Sequence, residues 1–419
     1  MKEMTSRERV ITTLDLKEPD RVPSNVWCTF EGYQNLRKGL GLEVADQYPT
    51  GSTTWTTDVA VEEDVVEILG ADLIRINAGP PGGSPGFRPI EFSDVPFDMG
   101  IPVPEYGLVV DEWGVIRRKV AHEAGSYYEI IGYPLLEATT LPTAEGIKAI
   151  EDYPWPDPYD PTVVEDLYGA GVGLRERAKW LRANTPYAIL LQGGRGGIFE
   201  QAKYMVGYAK IFSDFIEAPE FIAALFKKLM EIEIGFNRVA LEACGEYVDL
   251  VRMSPEDLAS EKSTFTSPAM FRKQILPFYT EACHATKEAF VAKNPNGKID
   301  FHSCGAVSRP QMEGLVGEAG IQCYDSLQPK VREDANPAAQ KVNFGDRLAF
   351  LGSIDVQEVL PWGSVDDVRA EVKQRIGELA PGGGYILTSS HRLEHDVPVA
   401  NTKAMFEACR EFGGYPIGP

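Results

Sequence analysis

The sequence predicts an α/β chain folded as a (β/α)8 TIM barrel with a long insertion between the second and third strands. Three observations predict it. Short apolar runs bounded by turn residues recur along the chain, a longer stretch with helical spacing follows most of them, and eight such runs can be counted. Several runs, such as 187–192 and 348–353, are nearly continuously apolar, which marks parallel strands buried on both faces.

The elements follow in order. Residues 6–14, opened by Thr5 and Ser6, read as a helix that precedes the first strand and covers the barrel floor. Strands are expected at 21–28 and 71–77, with a helix at 59–69 between them. The next strand falls only at 187–192, so residues 78–186 break the rhythm as an insertion. It is rich in proline and glycine (Pro80, Pro81, Gly82 and Gly83, then Pro102 and Pro104, then Pro154, Pro156 and Pro158), and it holds a hairpin candidate at 109–116. A lid or side-wall is expected there. Gly193, Gly194, Arg195, Gly196 and Gly197 lack the spacing of a phosphate loop and read as a tight turn. The remaining strands are expected at 247–253, 298–304, 321–327, 348–353 and 385–389, and the remaining helices at 202–244, 268–292, 307–318, 365–379 and 400–412. The whole chain, 1–419, reads as one barrel domain carrying the insertion.

Composition narrows the function classes. The 419 residues carry 41 Lys and Arg against 62 Asp and Glu, a formal charge of −21. Such a chain lacks the clustered cations that nucleic acid or an anionic membrane surface demands. No apolar run reaches the ~18 residues of a membrane span, and the N-terminus lacks a signal-peptide core, so a cytoplasmic location is expected. Cys28, Cys244, Cys283, Cys304, Cys323 and Cys409 show no paired spacing and are expected as free thiols.

Barrel chemistry sits at the C-terminal ends of the strands, so the strand assignment itself nominates residues. Those ends carry Trp27 and Cys28, Asn77, Gln192, Glu256 and Asp257, His302 and Cys304, Asp325 and Gln328, Asp355 and Gln357, and Ser390 and His391. Within 298–304, alternation puts Asp300, His302 and Cys304 on one face and Ile299 and Phe301 on the other. An imidazole and a thiolate two residues apart on one strand suit a borderline cation, zinc above all. Two ligands are not a site, and the third stays open among His391, Glu256 and Cys323. His122 and His395 are expected in solvent.

An ordered series of fragments resembles the uroporphyrinogen decarboxylase superfamily over nearly the whole chain. It runs through Thr5-Ser6-Arg7-Glu8-Arg9-Val10, Pro19-Asp20-Arg21-Val22-Pro23, Gly197-Ile198-Phe199-Glu200, Thr266-Ser267-Pro268 and Phe301-His302-Ser303-Cys304-Gly305. It continues through Gly352-Ser353-Ile354-Asp355-Val356-Gln357, Pro381-Gly382-Gly383-Gly384-Tyr385-Ile386-Leu387, His391, Asp396-Val397-Pro398 and Asn401. The resemblance implies a (β/α)8 barrel and one of two chemistries: decarboxylation of tetrapyrrole acetate arms, or methyl transfer between a corrinoid and an acceptor such as a thiol. The decarboxylases resemble one another in an arginine-rich segment after the first strand and an aspartate after the second. Here those places read Trp27-Cys28-Thr29-Phe30-Glu31-Gly32 and Ile76-Asn77-Ala78-Gly79-Pro80.

His391 matches the decarboxylase histidine. The corrinoid methyltransferases resemble this chain in the His-x-Cys-Gly unit, which implies His302 and Cys304 as zinc ligands, with His391 standing where those enzymes have a further cysteine. The leading expectation is therefore zinc-assisted methyl transfer between a corrinoid (cobalamin) cofactor and a small-molecule donor or acceptor. The methylcobalamin would arrive on a separate corrinoid protein, since no Asp-x-His-x-x-Gly segment is present. His391, Glu256, Asp257 and Asp325 are the expected catalytic groups, Asn77, Gln192 and Gln328 the cofactor-binding ones, and His302, Cys304 and His391 the metal ligands. The alternatives are tetrapyrrole decarboxylation and a non-catalytic barrel that binds a corrinoid or a partner. The family likeness also permits a homodimer.

Overall fold

In the computed structural model the described residues are 3–44, 59–81, 87–90, 108–122, 125–194 and 196–418. Helix α1 (Ser6–Leu14) forms where expected because Thr5 and Glu8 cap each other's amides. Its apolar side, Val10 and Leu14, closes the floor of the barrel against Leu73, Leu190, Leu250, Leu351 and Ile386. After it come α2 (Phe30–Leu40), α3 (Glu63–Leu69) and β1 (Leu73–Asn77).

Between β1 and the next barrel strand the chain forms an antiparallel sheet of β2 (Phe87–Ile90), β3 (Leu108–Asp111), β4 (Ile116–His122) and β5 (Gly125–Gly132), in that order. The expected hairpin is β3 with β4. Its turn is organised by Asp111, whose Oδ1 accepts the amides of Trp113 and Val115, both at 3.0 Å. Helices α4 (Thr143–Asp152) and α5 (Leu174–Asn184) lead to β6 (Ala188–Gln192). Gly82, Gly83, Pro102, Pro104, Arg195 and the side chain of His122 lie outside the described residues.

The single helix expected at 202–244 is three: α6 (Phe199–Val206), α7 (Tyr208–Glu217) and α8 (Pro219–Cys244). The breaks fall at Gly207 and just before Pro219, whose missing N–H fits a first helical turn. Next come β7 (Leu250–Arg252), the two-residue β8 (Glu256–Asp257), α9 (Pro268–Met270) and α10 (Leu276–Val291), the last two joined by one wide helical turn ahead of Pro277. Then follow β9 (Lys298–Cys304), α11 (Arg309–Gly314), β10 (Cys323–Leu327), α12 (Pro337–Phe344), β11 (Ala349–Ile354), α13 (Val359–Trp362), α14 (Val365–Leu379), β12 (Tyr385–Ser389) and α15 (Val399–Phe412).

The barrel strands run parallel in the order β1, β6, β7, β9, β10, β11, β12, with β8 added on the end of β9. The strand expected at 21–28 is extended but irregularly paired, since Pro23 has no N–H to give. It still bridges the gap: Asn25 donates to the Leu387 carbonyl, Leu387 to Pro23, and Asp72 to Ser24. The ring therefore closes between β12 and β1. Outside it, strands and helices share one large apolar layer in which Phe301 meets Tyr279 of α10. Among the described residues no helix is long and apolar enough to cross a membrane.

Candidate functional site

The pocket at the mouth of the barrel is set by the alternation of β9. Phe301 turns outward to the helices, while Asp300, His302 and Cys304 turn inward, Asp300 wholly buried and Cys304 half-buried. Cys304 is the cysteine that reaches the pocket; Cys28, Cys244, Cys283, Cys323 and Cys409 are buried, and all six are free thiols. The Cys304 sulfur lies 3.4 Å from His302 Nε2 and 3.6 Å from Ser326 Oγ. On the neighbouring strand Asp325 stands in register with His302, and its Oδ2 lies 2.8 Å from Nδ1. An ionised carboxylate only accepts, so Nδ1 carries the proton and Nε2 faces the sulfur.

Behind this pair sits Arg252, at the end of β7. Its Nε donates to Asp300 Oδ2 at 2.5 Å, and its terminal nitrogen lies 2.9 Å from Asp325 Oδ2. Burial raises the Asp325 carboxyl, but Arg252 and His302 outweigh it and hold the group below the ordinary range. Burial alone would lower the His302 imidazole; the Cys304 sulfur and the Asp325 carboxylate overcome that and push it up to about 10.

The next wall joins the two ends of the chain. Leu393 donates to the Trp27 carbonyl and Thr29 to the Leu393 carbonyl, so the segment after β12 lies against the segment before α2. This pairing sets the Trp27 indole edge-on to His302, with centroids 5.6 Å apart, and 5.3 Å from His391. The two imidazole centroids are 6.4 Å apart.

The opposite wall is acidic and aromatic: Glu200 and Tyr204 of α6, with Pro255, Glu256 and Asp257, and the cavity measures about 150 Å³. Glu256 lines the pocket, but its carboxylate is engaged by the backbone. Its carboxylate accepts the amides of Ile198 (2.6 Å), Phe199 (3.2 Å) and Glu200 (2.7 Å), capping α6. Gly197 makes this possible, because at φ 81° a Cβ there would lie 2.9 Å from Glu256 Oε1. The glycine-rich segment is thus closely hemmed in by its neighbours at Gly194, Gly196 and Gly197, rather than the uncrowded turn expected from sequence. Glu200 is bound by Lys203 and accepts from the Tyr208 hydroxyl at 3.0 Å. The β3–β4 hairpin stands beside this wall: Trp113 contacts Gly196 closely, and the Arg117 guanidinium lies 5.2 Å over the Tyr204 ring.

Of the residues nominated from sequence, His302, Cys304, His391, Glu256 and Asp257 meet around this pocket, with Asp325 one step behind His302. Asn77, Gln192 and Gln328 stand outside its lining. Asn77 and Gln192 face each other in register at the ends of β1 and β6, and Gln328 accepts the Gly305 amide at 2.5 Å. Two options for a third metal ligand are corrected. Cys323 is in register with Asp300, two residues below the level of His302, or roughly 6–7 Å deeper at the rise of a strand. Glu256 has its carboxylate committed to α6.

Sequence reasoning passed over Arg252, Tyr204 and Arg392, and gave Glu200 no role beyond its place in a family fragment. Arg252 had a signal: an arginine ending an apolar strand must meet carboxylates, and Asp300 and Asp325 lie inside two other expected strands.

A tetrahedral zinc with bonds of ~2.0 Å to nitrogen and ~2.3 Å to sulfur separates those ligands by roughly 3.5 Å. The 3.4 Å between His302 Nε2 and Cys304 Sγ matches that edge, and Asp325 on Nδ1 is the supporting acceptor that a metal-binding histidine ordinarily has. The pair therefore fits a metal as two of three ligands. Among the described residues no group of three His, Cys, Asp or Glu side chains is set to hold an ion, and His391 must turn to join the pair.

Comparison with known proteins accords with this architecture. The family model for uroporphyrinogen decarboxylase (URO-D) matches residues 150–412. Among solved structures, a methyltransferase from Methanosarcina mazei superposes with a TM-score of 0.61 at 18% identity, covering 98% of this chain and 99% of that one. That likeness is one of fold. A β-1,4-mannanase from the common sea hare Aplysia kurodai, at 11% identity, covers 59% of this chain and 74% of its own with a TM-score of 0.30, too low to argue from. A search of curated proteins found no match.

Proposed function

The chain belongs to the uroporphyrinogen decarboxylase family, and from that premise we propose that it is a methyltransferase acting between a corrinoid, carried on a separate protein, and a small-molecule heteroatom substrate. The observation that carries the proposal is the inward-facing His302–Cys304 pair, backed by Asp325 and open to the barrel-mouth pocket. The whole-chain likeness to the Methanosarcina mazei methyltransferase supports it.

Zinc is the metal proposed for His302 Nε2 and Cys304 Sγ, with His391 turning in as the third ligand. When bound, the corrinoid gives or takes the methyl group and the zinc polarises the heteroatom. The chain does the rest. Asp325 keeps the proton on Nδ1 of His302, so Nε2 is the nitrogen that would give up its proton to bind the metal. Trp27 packs against both imidazoles and would shield that side of the pair from water. Asp257, which lines the pocket, is the proposed acceptor for the proton that an incoming thiol or alcohol loses.

Decarboxylation of a tetrapyrrole is the weaker reading. A substrate bearing many carboxylates calls for a cationic wall, whereas Glu200, Glu256 and Asp257 line this one against Arg392 and the histidines. A non-catalytic, corrinoid-binding barrel would retain binding without turnover.

The test uses purified full-length protein, assayed for zinc content and for demethylation of methylcobalamin by a small thiol, followed by the corrinoid spectrum. Stoichiometric zinc and turnover that is lost in H302A and C304A are expected. Turnover that survives the loss of both side chains would overturn the proposal, and carbon dioxide release from a tetrapyrrole would replace it with the decarboxylase reading.

A further inference from the structure

Arg252 belongs to none of the roles assigned above, yet its guanidinium touches every layer behind the pocket. Its side chain is 4% exposed. On one side Nε donates to Asp300 Oδ2; on the other, a terminal nitrogen lies 2.9 Å from Asp325 Oδ2. The central carbon of the same group lies over the Trp27 ring, 5.7 Å from its centroid. Trp27 is the ring that contacts both His302 and His391.

The sharing on Asp325 is specific. Oδ2 accepts from His302 Nδ1 and pairs electrostatically with an Arg252 terminal nitrogen 2.9 Å away, a contact that lacks hydrogen-bond geometry, whereas among the described residues buried Oδ1 has no hydrogen-bond partner. A carboxylate gripped through one oxygen cannot shift toward or away from Arg252 without moving the imidazole on the same atom. A guanidinium offers separate nitrogens to carboxylates on two strands while its central carbon lies over the indole, whereas an ammonium is a single point charge.

We propose that Arg252 is a positioning residue that fixes His302, through Asp325, and the Trp27 indole in a single arrangement. The inference deepens the proposed function, since it rests on His302 and Cys304 being the reacting wall, but it concerns the imidazole itself and can be read without metal. The histidine of a metal site is tuned by what its other ring nitrogen touches, and removing such a partner costs about 10–100-fold in metal affinity. Arg252 acts one contact further out, so roughly 10-fold is expected for R252K.

The experiment compares wild type with R252K, D325N, the R252K/D325N double variant and D300N. The readouts are the imidazole ¹⁵N–¹H spectrum of metal-free protein, with the His302 signals identified by their loss in H302Q, zinc affinity by chelator competition, and the melting temperature. Wild type is expected to show a protonated Nδ1. R252K, still melting cooperatively, should shift or broaden that signal and bind zinc about 10-fold more weakly. In the D325N background, R252K should add less than 2-fold, because its route to His302 has already been cut.

An R252K protein with lowered melting temperature but unchanged His302 signal and zinc affinity would reduce Arg252 to a core ion pair and overturn the inference. Full additivity in the double variant would do the same. If R252K does not fold, D300N decides: Arg252 keeps Asp325 and Trp27 there, so the His302 signal should stay as in wild type, and its loss would assign the imidazole to Asp300 instead. A wild-type protein that binds no zinc would remove the metal from the proposed function while the imidazole spectrum still judges Arg252.

Discussion

Three amides converge on Glu256, and this explains how a carboxylate nominated for catalysis comes to serve as a helix cap. Replacing it with alanine leaves buried N–H groups without an acceptor, at a cost of about 1–3 kcal/mol, which a shift in the denaturant midpoint would show. Burial pushes this carboxyl up to about 8, against the pull of the Ile198 and Glu200 amides. A folded value above the unfolded one means that the native chain holds the proton more tightly. The contribution of Glu256 to stability should therefore decline as pH rises from the ordinary carboxyl range to about 8, and E256Q should flatten that slope in unfolding curves measured across this window. Asp257, the next residue, faces the pocket, as the alternation of a strand requires. Sequence could place the two residues near the mouth, but not say which one the helix would claim.

Among the elements, β9 was the most legible. Its bounds match the expected 298–304, because Ile299 and Phe301 alternate with Asp300 and His302 and the segment ends at a glycine. Gly305 then turns the chain at φ 84°, where a Cβ would lie 2.3 Å from the Ala259 carbonyl oxygen. G305A should cost at least the ~1–3 kcal/mol of a strained φ and should displace Cys304, so thermal melting and zinc content are expected to fall together. Helices were read less well. α5 buries only Leu174, Ala178 and Leu181 beneath a mostly charged surface, a stripe too thin for periodicity to register, and it was missed. The stretch 202–244 is apolar enough to mimic one long helix, and the breaks at Gly207 and before Pro219 were overlooked.

At the scale of the whole molecule, floor and mouth divide the work. Arg9 of α1 binds Asp20 at 2.6 Å and Asp72 at 2.7 Å, and Arg21 binds Asp72 at 2.9 Å, tying the N-terminal helix to the segment that closes the ring. R9M removes the guanidinium from Asp20 and leaves Asp72 to Arg21 alone, and should destabilise by at most about 3–5 kcal/mol in chemical unfolding, while the reactivity of Cys304 toward a thiol reagent in the folded protein stays unchanged. Burial raises the Asp20 carboxyl, but Arg9 and the Met4 and Arg21 amides outweigh it, and the net shift is downward. A lowered folded value stabilises above the ordinary carboxyl range and is lost as pH falls below it. Acid unfolding of wild type should therefore steepen below about pH 4, and D20N should lack that component.

The linear chain by itself determined what depends on neighbours close in sequence: where most strands lie, and that His302 and Cys304 share a face, because a strand repeats every two residues. Only the closed barrel decided that Asp325 backs His302, that Arg252 joins Asp300 to Asp325, and that Trp27 meets His391. Those pairs join residues far apart along the chain. Strand order, register and the closing segment at 21–28 set their distances, and each of these is fixed by packing over the whole molecule rather than by any local run of residues.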